Sequence, residues 1–275
     1  MSLYLKTKDH SVTGEEFELH HNEELDMLIT RPQPKDLDKY YKSDNYISHT
    51  DSSRTVTDKI YQIVKRFSLV LKVRLISCFV KDDKSLLDVG AGTGDFLVVA
   101  KQKGWAVFGV EPSWRARGKA SEKEINLSSE LESVMDRKYQ VITLWHVLEH
   151  LADLENQILK MISLLEENGT IVIAVPNYKS YDAKYYKENW AAYDVPRHLW
   201  HFSKEGMRRL FAKYQMEVVE TKPLYFDSFY VSLLSEKYKG SRLGFVKGIF
   251  RGLCSNVSAL FTKEYSSLIY IIKKA

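Results

Sequence analysis

Three glycines, Gly90, Gly92 and Gly94, separate the apolar run Leu86-Leu87-Asp88-Val89 from a segment that resumes helical spacing at Phe96. A buried strand that turns through glycine into a helix forms a cradle for a nucleotide-type ligand. Each glycine removes a Cβ where ligand and backbone nearly touch. The helix start adds unpaired N–H groups and partial positive charge, suited to a carboxylate, a ribose edge or a phosphate. Residues 106–110 read as a second strand running into Glu111 and Pro112, where the Glu111 carboxylate can accept hydrogen bonds from two ribose hydroxyls.

Glycine spacing separates the ligand classes. A dinucleotide fingerprint Gly-x-Gly-x-x-Gly starting at Gly90 needs glycine at position 95, where Asp95 stands. The run Asp88-x-Gly90-Ala91-Gly92-x-Gly94 instead resembles motif I of the class I S-adenosylmethionine-dependent methyltransferases. Glu111 supports a ribose in either class. The resemblance implies S-adenosylmethionine as cofactor, with Asp88, Gly90, Ala91, Gly92, Gly94, Glu111 and Pro112 on the donor. The stretch Val141 to His150 is similar to the segment after the fourth strand in ubiquinone-biosynthesis-like bacterial methyltransferases, which implies donor contacts for Trp145 and His146. Tyr40 to His49 resembles the entry segment that folds over the donor in that group, so Tyr46 and His49 are expected to face methionine or the sulfonium. Two rival readings are an NAD(P)-dependent Rossmann enzyme and an S-adenosylmethionine-binding protein without catalysis.

Methyl transfer from a sulfonium is an in-line displacement, so the protein chiefly aligns donor and acceptor and excludes water. A base is needed only where the acceptor loses a proton. Tyr178 to Ser203 is dense in aromatic and polar residues, and its Pro196-Arg197-His198-Leu199-x-His201-Phe202-Ser203 run looks like a recurring segment of the same group, over the acceptor site. Arg197 is expected to clamp an anionic acceptor, and His198 or His201 to act as general base, with His146 facing donor or acceptor. Ser203 also reads as a helix N-cap with Phe202 as its staple. His146, Glu149 and His150, at i, i+3 and i+4, would share one helical face able to hold a divalent ion. Two imidazoles suit Mg²⁺ less well than oxygen ligands, so no metal is expected.

Positioning these residues requires alternating strands and helices. Strands are predicted near 85–89, 106–110, 139–145, 170–175, 217–225 and 266–272, with helices near 94–104, 114–123, 153–167 and 204–214. The fold class is α/β, a doubly wound, mostly parallel sheet. The resemblance implies a Rossmann-like seven-stranded order 3-2-1-4-5-7-6 whose third strand is hardly visible here. Asn168-Gly169 is read as the end of the 153–167 helix. Before the sheet, 15–20 and 25–30 read as an N-terminal hairpin and 55–80 as a helix with Ile60, Ile63, Val64, Phe67, Val70, Leu71 and Leu75 on its packed face. The expected division is 1–53, hairpin and entry segment, and 54–275, the methyltransferase domain. Within the latter, 226–262 is a helical insertion, basic and apolar, that either lids the acceptor site or touches a membrane surface.

Composition narrows the partners. A hydrophobic share of 44% fits a globular chain, and a net charge of +4 spread along the length is no nucleic-acid footprint. A small-molecule, sugar-derived or lipid-linked acceptor is expected. Cys78 and Cys254 read as buried free thiols in a reducing cytoplasm, and Met1 to His10 shows no apolar signal core. The N-terminal His10, His20 and His21, with no cysteine nearby, make a poor zinc set.

Overall fold

The computed structural model describes residues 1–41, 56–80 and 84–275. Tyr46 and His49 lie outside the described residues.

The chain begins with β1 (Ser2–Lys8), β2 (Glu16–Asn22) and β3 (Met27–Arg31), then α1 (Val56–Ser77). The alternating part follows: β4 (Ser85–Val89), α2 (Asp95–Gln102), β5 (Ala106–Val110), α3 (Trp114–Ser121), β6 (Tyr139–Trp145), α4 (Leu154–Ser163) and β7 (Leu165–Pro176). Next come α5 (Tyr181–Tyr186), β8 (Trp200–His201), α6 (Lys204–Ala212), β9 (Met216–Pro223), α7 (Asp227–Tyr238), α8 (Gly244–Thr262) and β10 (Ser267–Lys274).

The main sheet runs β5-β4-β6-β7-β10-β9, parallel from β5 to β7, with β10 antiparallel to both neighbours. The fold is Rossmann-like, and six strands replace the expected seven. Where a third strand would extend the β5 edge, the chain makes one parallel bridge between Val110 and Ser128. The polar run Ser128-Ser129-Glu130 has no β-branched side chain to lengthen it.

Both faces of the sheet are covered, which is why its strands read as continuous apolar runs. Ile142, Leu144, Ile171 and Ile173 pack toward α4 and α6, while Val141, Val172 and Ala174 pack toward α1 and α2. Only α1 turns differently from expectation. Val73 and Ile76 are buried, whereas Phe67, Val70 and Leu71 are exposed. Apolar residues lie on more than one side of the helix, and the sheet selects the stripe through Leu69, Val73 and Ile76.

The helix expected over 153–167 ends earlier, with α4 stopping at Ser163 and Leu164 as its cap. Asn168-Gly169 lies instead within β7, where the register to β6 shifts between the Tyr139–Leu165 and Val141–Thr170 pairs. Cys78 is exposed and Cys254 half-buried, so neither is the buried thiol expected, and both are free. Cys78 sits just past the α1 C-terminus, where the chain leaves the core.

The N-terminal strands form a second sheet, β1-β2-β3-β8, whose fourth strand comes from the Pro196–Ser203 stretch. Its core joins Phe17, Leu19 and Leu28 to Tyr178, Tyr186, Trp190 and Tyr193. Much of the aromatic segment after β7 is therefore packed interior.

Candidate active site

β4 delivers the chain to the glycine turn, where the N–H groups of Gly90 and Ala91 donate to the Val110 carbonyl at 2.8 and 3.0 Å. Gly90 has φ +72°, and a Cβ there would lie 2.4 Å from Val147 Cγ2, so only glycine fits between the turn and the segment after β6. Gly92, at φ +55°, has no atom within 4 Å of the position its Cβ would take. That is the open cradle. The Gly92 N–H donates to Glu111 Oε2 at 2.9 Å, and Ser113 N–H donates to Oε1 at 2.8 Å, so one carboxylate ties the turn to the start of α3. Pro112, exposed beside it, accepts from Arg117 through its carbonyl.

Gly94, at φ +74°, leads into α2. Asp95, where a dinucleotide fingerprint would need glycine, pairs with Lys65 at 2.6 Å and Lys123 at 2.5 Å. Beneath the turn, Asp88 accepts from Thr143 Oγ1 at 2.6 Å, linking β4 to β6. Burial pushes its carboxyl up to about 7, against the Thr143 hydrogen bond and the Lys72 charge. Lys72 rests 4.3 Å from the centre of the Trp145 ring, and burial lowers its pKa against the pull of Asp227 and Asp88. Trp145 also meets Phe96 edge-on, while its indole N–H has no hydrogen-bond partner.

His146 sits in the left-handed region at φ +58°. Its Nε2 is 2.9 Å from Asp227 Oδ2 and its Nδ1 is 3.4 Å from Glu149 Oε1. Burial opposes its charge, yet these two carboxylates raise it to about 10. Both ring nitrogens of this imidazolium carry protons, and the residue expected to face donor or acceptor is held between Asp227 and Glu149. The expected helical face is also absent, because Leu148–His150 forms a single tight 3-10 turn.

A different trio converges there. Ligand atoms of Glu149, His150 and His198 lie within 4.8 Å of one another. His150 Nδ1 meets the Arg197 carbonyl at 3.0 Å and His198 Nδ1 meets the Ala192 carbonyl at 2.9 Å, so each Nδ1 carries hydrogen. Burial, followed by the His198 charge, lowers His150 to about 4. Glu149 Oε1 faces the His146 imidazolium at 3.4 Å, while Oε2 has no hydrogen-bond partner. Two imidazoles and a carboxylate with carbonyl-anchored rings have the chemistry of a zinc-type ligand group, with His198 standing where the spacing had put His146.

Arg197 departs most from expectation. It is fully buried, and its guanidinium donates to Asp194 at 2.5–3.0 Å, to Asp9 at 2.9 Å and to the Tyr40 carbonyl at 3.0 Å. Burial works against its charge, but Asp194 and Asp9 hold it firmly protonated. A guanidinium spent on two carboxylates cannot clamp an acceptor, so Arg197 is a structural tie between the N-terminal sheet and the 190–201 segment. His201 is likewise interior, 3.0 Å from Thr30 Oγ1, with burial holding it neutral. Ser203 caps α6 as its sequence predicted, accepting from Gly206 N–H at 2.9 Å. Of the N-terminal histidines, His20 pairs with Glu18, His21 with Asp26, and His10 stacks on Tyr238.

Lys72 and Asp227 were missed. A lysine interrupting an apolar helix was the available signal for Lys72. Asp227, the first residue of α7, gave none, since its partner lies on a different element far back in the chain.

The fold and glycine cradle define an α/β enzyme that holds a nucleotide-type donor at the strand ends. Residues 59–221 match the family model described as methyltransferase domain. The chain belongs to this methyltransferase family and is an S-adenosylmethionine-dependent enzyme. No curated protein sequence matches it. Among solved structures, the magnesium protoporphyrin IX methyltransferase of Synechocystis PCC 6803 with bound S-adenosylhomocysteine superposes with TM-score 0.56 at 14% identity, covering 86% of this chain and 97% of that one. Coclaurine N-methyltransferase bound to N-methylheliamine and S-adenosylhomocysteine gives 0.51 at 16%, covering 81% and 74%. A possible histamine N-methyltransferase of Thermotoga maritima gives 0.52 at 16%, covering 79% and 94%. These likenesses show the shared fold. The family match removes the NAD(P)-dependent alternative.

Proposed function

We propose that the enzyme transfers the donor methyl to an oxygen or nitrogen of a small-molecule, sugar-derived or lipid-linked acceptor, with His198 taking the acceptor proton. What carries this reading is the cluster of buried Glu149, half-buried His150 and buried His198: the first two follow Val147, the residue packed on Gly90, and His198 joins them from the 190–201 segment. The segment that packs on the glycine turn thus also meets the proposed proton acceptor. In this reading Glu111 receives the ribose hydroxyls, Gly92 and Gly94 line the donor, and Trp145 walls the adenine. Two free cysteines agree with action in a reducing cytoplasm. Relatives of the same fold whose structures carry small-molecule ligands agree with a small acceptor.

The test combines calorimetric binding of S-adenosylhomocysteine with turnover of labelled donor methyl across hydroxyl and amine acceptors. The expected result is tight binding, turnover, and a His198→Asn variant that binds as wild type while kcat falls about 10²-fold. Binding without turnover on any acceptor would make the chain a donor-binding protein. Turnover abolished by EDTA and restored by Zn²⁺ would give the three side chains to a cation rather than to a proton.

A further inference from the structure

Helix α8 is built inside out. A helix on a protein surface ordinarily buries its large apolar side chains and shows small or polar ones to water. Here the small residues face inward. A Cβ on Gly248 would lie 2.8 Å from Leu233 Cα, and one on Gly252 would lie 2.8 Å from Phe229 Cα, so the two glycines let α8 pack backbone to backbone on α7. Ser255 and Ala259 complete that buried stripe, and Ser255 is fixed by donating to Asp182 at 2.7 Å. The large residues point outward: Phe245, Val246, Ile249, Phe250, Leu253 and Phe261 are each at least 40% exposed, Phe261 reaching 84%. The apolar surface continues past the helix, where Phe226 meets Phe67 of α1 edge-on and both are exposed.

The charged residues of the stretch that carries α8 have one sign. From Lys237 to Lys263 there are six basic residues, Lys237, Lys239, Arg242, Lys247, Arg251 and Lys263, and no aspartate or glutamate. Such a rim disfavours a second copy of the same face, since self-pairing would bring like charges together. It favours a broad anionic surface with an apolar layer beneath. Among the described residues no helix is long and apolar enough to cross a membrane.

We propose that α8 docks the enzyme on an anionic lipid bilayer, lying in the interface plane with its phenylalanines among the acyl chains and its lysines at the headgroups. The docked element is joined to the candidate active site, because Asp227 at the start of α7 pairs with His146 at the end of β6. An acceptor held in the headgroup region would therefore meet the site from the membrane side. This consequence rests on the methyl-transfer reading, whereas the docking itself does not.

The test is flotation of the full chain with vesicles of phosphatidylcholine alone and of phosphatidylcholine mixed with phosphatidylglycerol, alongside light scattering without lipid. Expected are a monomer in solution, flotation with the anionic vesicles only, and release by high salt. The double variant Phe245→Ser with Phe250→Ser should lower the bound fraction about tenfold, and Lys247→Glu by less, while S-adenosylhomocysteine binding stays as wild type. Absence of flotation, flotation indifferent to the serine pair, or a lipid-free dimer that the serine pair dissociates would each overturn the proposal. Failed methyl transfer with retained flotation would reject the acceptor reading alone.

Discussion

The glycine cradle and the module proposed to face the acceptor lie against each other but are built on opposite plans. Cradle residues Asp88 to Ser113 come from one strand-turn-helix-strand passage, and their key contacts, Gly92 to Glu111 and Gly90 to Val110, close over short chain distances. That second module is assembled from the N-terminal strands and the 178–203 segment. Arg197 reaches Asp9 across 188 positions, Thr30 donates to the His198 carbonyl across 168, and Tyr178 donates to Asp26 across 152. Backbone conformation carries the first region, while buried polar ties carry the second. Substitutions should accordingly impair ligand binding in one and folding in the other.

The largest effect expected is on the polar ties. Arg197→Ala leaves Asp9 and Asp194 facing a buried void without their counter-charge, and removing one partner of such a buried group costs about 3–5 kcal/mol. Denaturant unfolding should show that loss, together with faster proteolysis of the N-terminal strands. If Arg197→Ala were as stable as wild type yet lost acceptor affinity, the guanidinium would be serving substrate and the contrast would fail.

Gly92→Val should act the other way. No protein atom stands near its Cβ position, so the added side chain projects into the open cradle and displaces ligand, with strain at φ +55° as a smaller penalty. Affinity for S-adenosylhomocysteine should drop by about 100-fold, about 2.7 kcal/mol, in calorimetry. Gly90→Val is the sharpening control, since its Cβ meets Val147 and the variant should also lose stability. Equal loss of stability in both would mean that the cradle, too, is held by packing.

The same contrast explains what could be read from sequence. Glycine spacing, strand alternation and the Ser203 cap depend on residues near each other in the chain, and they were legible. The partners of Arg197 and His146 were not legible, because a charged or titratable side chain shows its chemistry in sequence but not what it pairs with. Asp9 and Asp227 are those partners, and both lie far from them in the chain. The aromatic run 178–203 reads equally well as a lid or as a core. Only the arrival of β2 and β3, with Phe17, Leu19 and Leu28, decides for the core. The third strand of the expected sheet failed for a local reason, since no apolar alternation extends the Val110–Ser128 bridge.

The smallest effect tests a polar tie through pH. Asp26, in the left-handed turn between β2 and β3, accepts from Lys179 at 2.5 Å, Ser203 at 2.6 Å and His21 at 3.2 Å. Burial pushes its carboxyl up, yet those donors hold it down to about 2. A carboxyl depressed in the folded state stabilises the protein above its unfolded pKa, near 4, and that stability is lost as pH falls toward 2. The displacement corresponds to about 2 kcal/mol. Asp26→Asn should therefore melt lower than wild type at pH 7, with the two melting temperatures converging between pH 4 and 2. Parallel melting curves across that window would show that Asp26 acts through shape alone. In that case the turn would owe its place to its backbone carbonyl, which accepts from Ser203 Oγ at 2.8 Å and from Tyr178 at 3.3 Å, and the acceptor side would be held as the donor side is, by main-chain geometry.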